Sequence, residues 1–342
     1  MHLSKIKITF FGGTLKALVT GGTGFIGSHL ADYLLNKGFE VRCIYRKTSN
    51  IRWLKDKSVE LVEASLNDIT SLIKACEGVD YIFHVAGLVA AKNEKEFLTG
   101  NRDATRNLLE AAKIAVPNLK RFLYVSSQTA AGPSASLNGI KTESMERNPI
   151  TAYGRSKKAA EDEVLKFKDI FPITIVRPPA VIGPRDPASY QIFQVANKGF
   201  GTLMGFKPKY ANLIYSSDLV EGIFDAAMSE NSIGKTYFLA SEEIYNWNQI
   251  LAAMKKHLNK NFFIYIKIPH FLIYSIAGLS ELFGKFSKKP PVFNFDKGRD
   301  FVQEYWTCSV NEAKKDFGYK QKVNLDEAIK KSIEWYKENK WL

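Results

Sequence analysis

Lys16-Ala-Leu-Val-Thr-Gly-Gly-Thr-Gly-Phe-Ile-Gly-Ser28 is the stretch from which the rest of the chain can be read. The apolar run Ala17 to Thr20 predicts a buried parallel strand. Gly21, Gly24 and Gly27 then fall three apart, and His29-Leu-Ala-Asp-Tyr-Leu-Leu-Asn-Lys37 has the spacing of an amphipathic helix. Glycines between a strand and a helix allow a tight turn, close approach to a pyrophosphate, and close packing of helix on strand. The helix N-terminus offers that anion free N–H groups and a positive dipole end. G-x-x-G-x-x-G departs from the commoner G-x-G-x-x-G, so the turn needs support from the rest of the chain.

With 342 residues, the chain can form one large domain or two smaller ones. A composition of 45% hydrophobic and 24% charged residues is that of a soluble globular protein. Cys43, Cys76 and Cys308 lie far apart, which excludes a disulfide framework or a zinc knuckle. A reducing cytoplasm is expected, and no metal. The net charge of +13 is spread along the chain, with mild clusters at Lys255-Lys256, Lys288-Lys289 and Lys330-Lys331. No nucleic-acid motif accompanies it. A solvated basic face that attracts phosphorylated ligands or an anionic membrane is expected instead. Residues 1–14 are too polar for a secretory segment and read as a disordered leader or a start placed too early.

Strand and helix alternate five times from residue 16 to 127. Further strands are expected at Glu40–Arg46, Val59–Glu63, Tyr81–Gly87 and Arg121–Ser127. Asp68 is placed to cap a helix from Ile69 to Cys76, and another helix runs from about Asn101 to Ala115. This rhythm predicts a doubly wound parallel sheet with ligands at the C-terminal strand ends. Tyr153-Gly-Arg-Ser-Lys157 opens a helix, a sixth strand spans Pro172–Arg177, and the proline-punctuated segment Pro178–Asp186 leaves the sheet. The pattern then loosens into a smaller, mostly helical lobe over the substrate. The fold class is therefore α/β, a Rossmann-type domain over 15–184 with a substrate lobe over 185–342, parts of which pack back on the core.

Phe262 to Gly284 is unusually apolar, but Lys267, Pro269, His270 and Glu281 interrupt it, so it is too short to span a bilayer. It reads either as a core strand and helix of the lobe or as an apolar lid or interfacial helix. In the second reading residues 262–289 touch a membrane peripherally, with Lys285, Lys288 and Lys289 facing headgroups.

The candidate chemistry lies in Ser127, Tyr153 and Lys157. Carbonyl reduction needs a proton, and the reverse reaction needs a base. Tyrosine ionises near 10, and an ammonium nearby favours its phenolate. A serine hydroxyl can hold the substrate oxygen. Tyr153 and Lys157, four apart, share one helix face.

These residues occur in order with Thr20-Gly-Gly-Thr-Gly-Phe-Ile-Gly27, His84-Val-Ala-Gly87, Asn101 with Thr105 and Asn107, and Arg177-Pro-Pro-Ala-Val-Ile-Gly-Pro-Arg-Asp186. Asp218 and the tail Glu312–Tyr319 with Trp335-Tyr336 complete the pattern. From Leu15 to Leu342 the chain resembles the extended short-chain dehydrogenases/reductases, the group of NAD-dependent epimerases and dehydratases. In pattern it is similar to the dihydroflavonol reductases and 3β-hydroxysteroid dehydrogenases. The resemblance implies Tyr153 as proton donor and acceptor, Lys157 as its activator and ribose ligand, Ser127 as substrate orienter, and Asn101 as a helper. It also implies Gly21, Thr23, Gly24, Phe25, Ile26 and Gly27 along the pyrophosphate, Ala86 and Gly87 at mid-cofactor, and Pro178 beyond. Ser65-Leu66 stands where an aspartate usually meets adenine.

Arg46, without a carboxylate nearby, ends the second strand and favours NADP over NAD. Nucleotide-sugar members carry an asparagine where Ala180 stands and an arginine where Ala211 stands, so a buried pyrophosphate substrate would lack partners. The expected activity is hydride transfer between NADP(H) and a ketone, aldehyde or secondary alcohol on a small, largely apolar molecule. The alternatives are a nucleotide-sugar epimerase or dehydratase with tightly bound cofactor, and a non-catalytic NADP-sensing scaffold. A homodimer is a further partner the sequence allows.

Overall fold

The computed structural model describes residues 13–284 and 294–342. The leader expected over 1–14 therefore lies outside the described residues except for Gly13 and Thr14, as do Lys285, Lys288 and Lys289. Seven parallel strands form the central sheet: β1 (Lys16–Thr20), β2 (Glu40–Tyr45), β3 (Val59–Glu63), β4 (Tyr81–His84), β5 (Arg121–Val125), β6 (Ile173–Arg177) and, beyond β6, Thr236–Phe238. Their spatial order is β3-β2-β1-β4-β5-β6, then Thr236–Phe238. The order reverses between β1 and β4, which opens a crevice at the strands' C-terminal ends.

Alternate residues of each strand enter different layers, as the strand period requires. Ala17, Val19, Phe83, Leu123 and Val125 pack against α1 (Phe25–Asn36) and the helix Ser216–Met228. Leu18, Ile82, Phe122 and Tyr124 pack against α2 (Ile69–Cys76) and the helices Ala104–Ala115 and Ala152–Leu165. Burial on both faces explains why these strands read as continuous apolar runs. Asp68 caps α2 by accepting from the Thr70 amide at 3.1 Å.

A separate cluster, including Ile182, Phe193, Leu251, Ile333 and Tyr336, holds together the helices Pro187–Asn197, Trp247–His257 and Leu325–Glu338. Ala180–Ile182 leaves the central sheet and pairs with Leu213–Tyr215. Asp186 caps the first of these helices through the Ala188 and Ser189 amides.

The reading of the apolar stretch as a core strand is corrected. Ile264–Ile268 pairs with Phe200–Met204 in a two-stranded ribbon, and Ile264, Tyr265, Ile266 and Lys267 are exposed. An apolar run reads the same whether or not its own chain covers it. The next helix, His270–Gly284, buries Ile273 and Ala277 on one side. Its other side presents Phe271, Leu272, Ile276, Leu279 and Leu282, with Phe271 67% exposed and Leu279 57%. No helix among the described residues is long and apolar enough to cross a membrane.

Candidate active site

The glycine-rich turn lies against the end of β4. Gly21 has φ +73°, and a Cβ there would sit 2.8 Å from the Ala86 nitrogen. A Cβ at Gly27 would stand 2.1 Å from the Gly21 carbonyl oxygen, so only glycine lets α1 approach this closely. Gly24 caps α1 without a side-chain bond, and the first turn carries no acidic residue. The positive end of the helix is thus open toward the crevice.

Beneath the turn runs a buried polar chain. The Thr20 hydroxyl pairs with His84 Nδ1 at 2.7 Å and accepts from the Ala86 amide at 3.1 Å. His84 Nε2 meets Thr105 Oγ1 at 2.9 Å, and that hydroxyl donates to the Asn101 carbonyl at 2.7 Å. Burial, helped by the Lys157 charge, lowers the His84 pKa to about 3. The ring is therefore neutral, and the partners assign its proton to Nε2.

Ser127 follows β5 and caps the short helix Gln128–Ala131, accepting from the Thr129 amide at 3.2 Å. Tyr153 opens the helix Ala152–Leu165, which Thr151 caps through the Gly154 amide. A Cβ at Gly154 would lie 2.5 Å from the Thr129 carbonyl oxygen. That close approach brings the two short hydroxyl-bearing turns together. Burial pushes the Tyr153 hydroxyl up to about 12, a hydrogen bond with Ser127 lowers it, and the Asp300 charge raises it.

Lys157 is one helical turn further on and almost fully buried. Its ammonium donates to the Val125 carbonyl at 2.7 Å and lies 4.3 Å from the centre of the Tyr124 ring. Burial lowers its pKa to about 7, against the pull of Glu161. A Cβ at Gly87 would come within 3.6 Å of Lys157 Nζ, so this strand end borders the same ammonium.

Glu161, a further turn along, carries no distinguishing signal in the sequence beyond repeating the spacing of Tyr153 and Lys157. It is wholly buried and accepts from Arg177 Nε at 2.8 Å and Nη2 at 2.7 Å, from Ser126 Oγ at 2.5 Å, and from Arg147 at 3.1 Å. Burial opposes its charge, but the arginines and Ser126 hold its carboxyl below the usual range.

The other predicted residues sit around this centre. Asn101 lies in a π-helical turn, Thr99–Asp103, rather than in the regular helix expected there. Its amide accepts from the Leu88 nitrogen at 2.8 Å and donates to the Leu88 carbonyl at 3.1 Å and to Ser156 Oγ at 2.8 Å. It braces the loop after β4 against the Tyr153 helix. Arg46 is exposed immediately beyond β2. Ser65 accepts from the Asn67 amide at 3.3 Å in a local turn, and Asn107 holds that turn by donating to the Leu66 carbonyl at 2.9 Å. Pro178 is buried, its carbonyl accepting from the Gln128 amide at 2.8 Å.

A residue far along the chain completes the frame. Asp296, in the helix Phe295–Val302, accepts from the Ala152 amide at 2.6 Å and so caps the Tyr153 helix from outside. Nothing in the local sequence of either helix foretells this pairing.

A sequence model of the NAD dependent epimerase/dehydratase family matches residues 17–239. The chain is 28% identical to ceramide reductase of Caulobacter vibrioides, covering 95% of each chain. It is 26% identical to sterol-4-alpha-carboxylate 3-dehydrogenase, decarboxylating, of Mus musculus, covering 93% of this chain and 90% of the relative. The crystal structure of UDP-glucuronic acid 4-epimerase from Bacillus cereus in complex with NAD superposes with TM-score 0.74 at 22% identity, over 95% of this chain and 99% of that one. The last likeness concerns fold; the family match spans the glycine turn, Ser127, Tyr153 and Lys157 together. The chain belongs to the NAD dependent epimerase/dehydratase family.

Proposed function

We propose that the chain is an NADP-preferring oxidoreductase acting on a ketone, aldehyde or secondary alcohol of a small, largely apolar molecule. The observation that carries this reading is one helix, Ala152–Leu165, that presents Tyr153, whose hydroxyl bonds with Ser127, and one turn later the buried Lys157, whose ammonium donates to the Val125 carbonyl at 2.7 Å. The surrounding residues fit a dinucleotide: a cradle that a Cβ would fill at Gly21 and Gly27, an open helix terminus, and small residues at Ala86 and Gly87. Thr23, Gly24, Phe25 and Ile26 would flank its pyrophosphate, Ser65, Leu66 and Pro178 its more distant parts, and Arg46 a 2′-phosphate. A nicotinamide dinucleotide held there supplies or accepts the hydride.

The chain's own residues handle the proton. With its pKa raised, Tyr153 is neutral at ordinary pH and suited to donating to a carbonyl oxygen that Ser127 holds. Oxidation requires the phenolate, which a protonated Lys157 favours. Asn101 acts as a positioning residue, fixing the β4 loop and the Tyr153 helix relative to each other.

An apolar substrate is supported by Ala180 and Ala211, which offer nothing to a sugar-nucleotide pyrophosphate. The names of two relatives refer to a ceramide and a sterol. The exposed apolar face of the helix His270–Gly284, in a chain of net charge +13, supports peripheral contact with an anionic membrane that carries such a substrate. Its three cysteines are free and buried, which suits a reducing cytoplasm.

The test is a panel of apolar ketones offered with NADPH and NADH side by side, followed by nicotinamide absorbance. Net NADPH consumption with an apolar ketone is expected. Interconversion of a UDP-sugar without net consumption would replace this reading with the epimerase.

A further inference from the structure

We propose that Asp300 is a substrate-recognition residue, whose open carboxylate accepts a hydrogen bond from a hydroxyl or amide N–H close to the reacting carbon. The inference rests on the oxidoreductase reading above and names a feature its substrate carries.

The placement follows from helix geometry. Asn294 caps the helix Phe295–Val302 by accepting from the Lys297 amide at 2.9 Å. Asp296, in its first turn, is fixed on the Ala152 amide at 2.6 Å. Asp300 comes four residues later and so lies on the same face of that helix. Tyr153 immediately follows Ala152. The Asp300 charge accordingly acts on the Tyr153 hydroxyl and resists its ionisation.

Asp300 is partly buried, and nothing among the described residues occupies one of its carboxylate oxygens. Its Oδ1 is buried without a hydrogen-bond partner among the described residues. Its backbone carbonyl, by contrast, accepts from Trp306 Nε1 at 2.9 Å, so the helix end is tied down while Oδ1 stays unbonded among the described residues. Burial and the neighbouring Asp296 raise its pKa to about 7, and Lys297 lowers it. A buried carboxylate oxygen without a donor among the described residues is an acceptor that a bound substrate can satisfy. Tyr153 has Ser127 and, in the reaction, the substrate carbonyl oxygen as partners, so the donor that fits Asp300 is a further polar group of the substrate.

The arrangement selects among apolar molecules. A bare ketone satisfies Ser127 and Tyr153 but leaves Asp300 unpaired. A ketone with an adjacent hydroxyl or amide pairs all three groups. A site built to bond a substrate O–H rejects the analogue that lacks it far more strongly than an apolar pocket rejects a missing methylene.

The experiment compares decyl hydroxymethyl ketone with decyl methyl ketone on the wild-type protein, Asp300→Ala and Asp300→Asn. It uses kcat and KM with NADPH, and calorimetric binding of each ketone to the NADP-loaded protein. The wild type is expected to prefer the hydroxymethyl ketone by about tenfold or more. Asp300→Ala loses that preference through KM, and Asp300→Asn, whose amide oxygen still accepts, keeps part of it. Equal losses for both ketones, or a preference untouched by Asp300→Ala, would overturn the proposal. Melting temperatures within a few degrees of wild type establish that the variants fold. If binding shows the expected preference and its loss while neither ketone consumes NADPH, the role of Asp300 stands and the reading of the reaction falls.

Discussion

Arg177 grips Glu161 through two hydrogen bonds, 2.8 and 2.7 Å long, in a position from which solvent is excluded on both sides. The pair joins the end of β6 to the helix that carries Tyr153 and Lys157. Removing Arg177 leaves the buried Glu161 charge with only Arg147 and Ser126, and removing Glu161 leaves the buried guanidinium without its carboxylate. Arg177→Ala should therefore destabilise the protein by about 3–5 kcal/mol in urea unfolding. Replacing both partners together with apolar residues of similar volume should cost less than either single change. A cost below about 1 kcal/mol for Arg177→Ala would show that the pair does not hold the layer together.

Tyr153→Phe keeps the ring and removes the proton donor. Turnover should fall by about 10²–10⁴ while NADPH affinity, measured by fluorescence titration, stays close to wild type. Wild-type rates in this variant would remove Tyr153 from the chemistry.

Arg46 is exposed beyond β2 with no acidic residue beside it in sequence. Loss of a charge-assisted contact to a 2′-phosphate is worth roughly 1.5–3 kcal/mol, or about 10- to 100-fold. Arg46→Ala should raise KM for NADPH by that factor and leave NADH unaffected. An equal change for both cofactors would assign Arg46 to another role.

His84 makes stability depend on acid. Its folded pKa of about 3 lies below the usual 6.5, so between these values the unfolded chain binds the extra proton. Stability from this group is full above pH 6.5 and falls as pH drops toward 3, by up to about 1.4 kcal/mol per pH unit. His84→Asn should flatten the wild-type curve of unfolding free energy against pH in that window. Parallel curves for the two proteins would refute the assignment.

The outward face of the helix His270–Gly284 should mediate vesicle binding. Phe271→Ser with Ile276→Ser and Leu279→Ser is expected to abolish flotation with vesicles containing anionic lipid, while reduction of a water-soluble ketone persists. Wild-type protein that never floats would end the membrane reading.

The central sheet was legible because apolar runs, turn residues and helix caps such as Asp68 act over short distances. The pairing of Tyr153 with Lys157 on one helix was legible because four-residue spacing on a helix is itself a geometric statement. Glu161 obeyed the same spacing but looked like one more charge on a helix rich in Glu and Lys. Its significance depends on Arg177, which reaches it only through the folding of β6 beside that helix. The links from Thr20 through His84 to Thr105, and from Asp296 to Ala152, join residues far apart in the chain. No local pattern encodes such pairs. The Ile264–Ile268 ribbon departs from the expected core strand for a related reason: hydrophobicity reports what a segment would avoid, not what lies over it.

The bond from the Ala152 amide to Asp296 has a consequence for how the site can be observed. Whatever steadies the helix Phe295–Val302 also closes the first turn of the helix bearing Tyr153. A ligand that touches only the helix Phe295–Val302 will then slow deuterium uptake at Ala152. That single amide is a built-in reporter of engagement of this helix, readable without turnover and without a label.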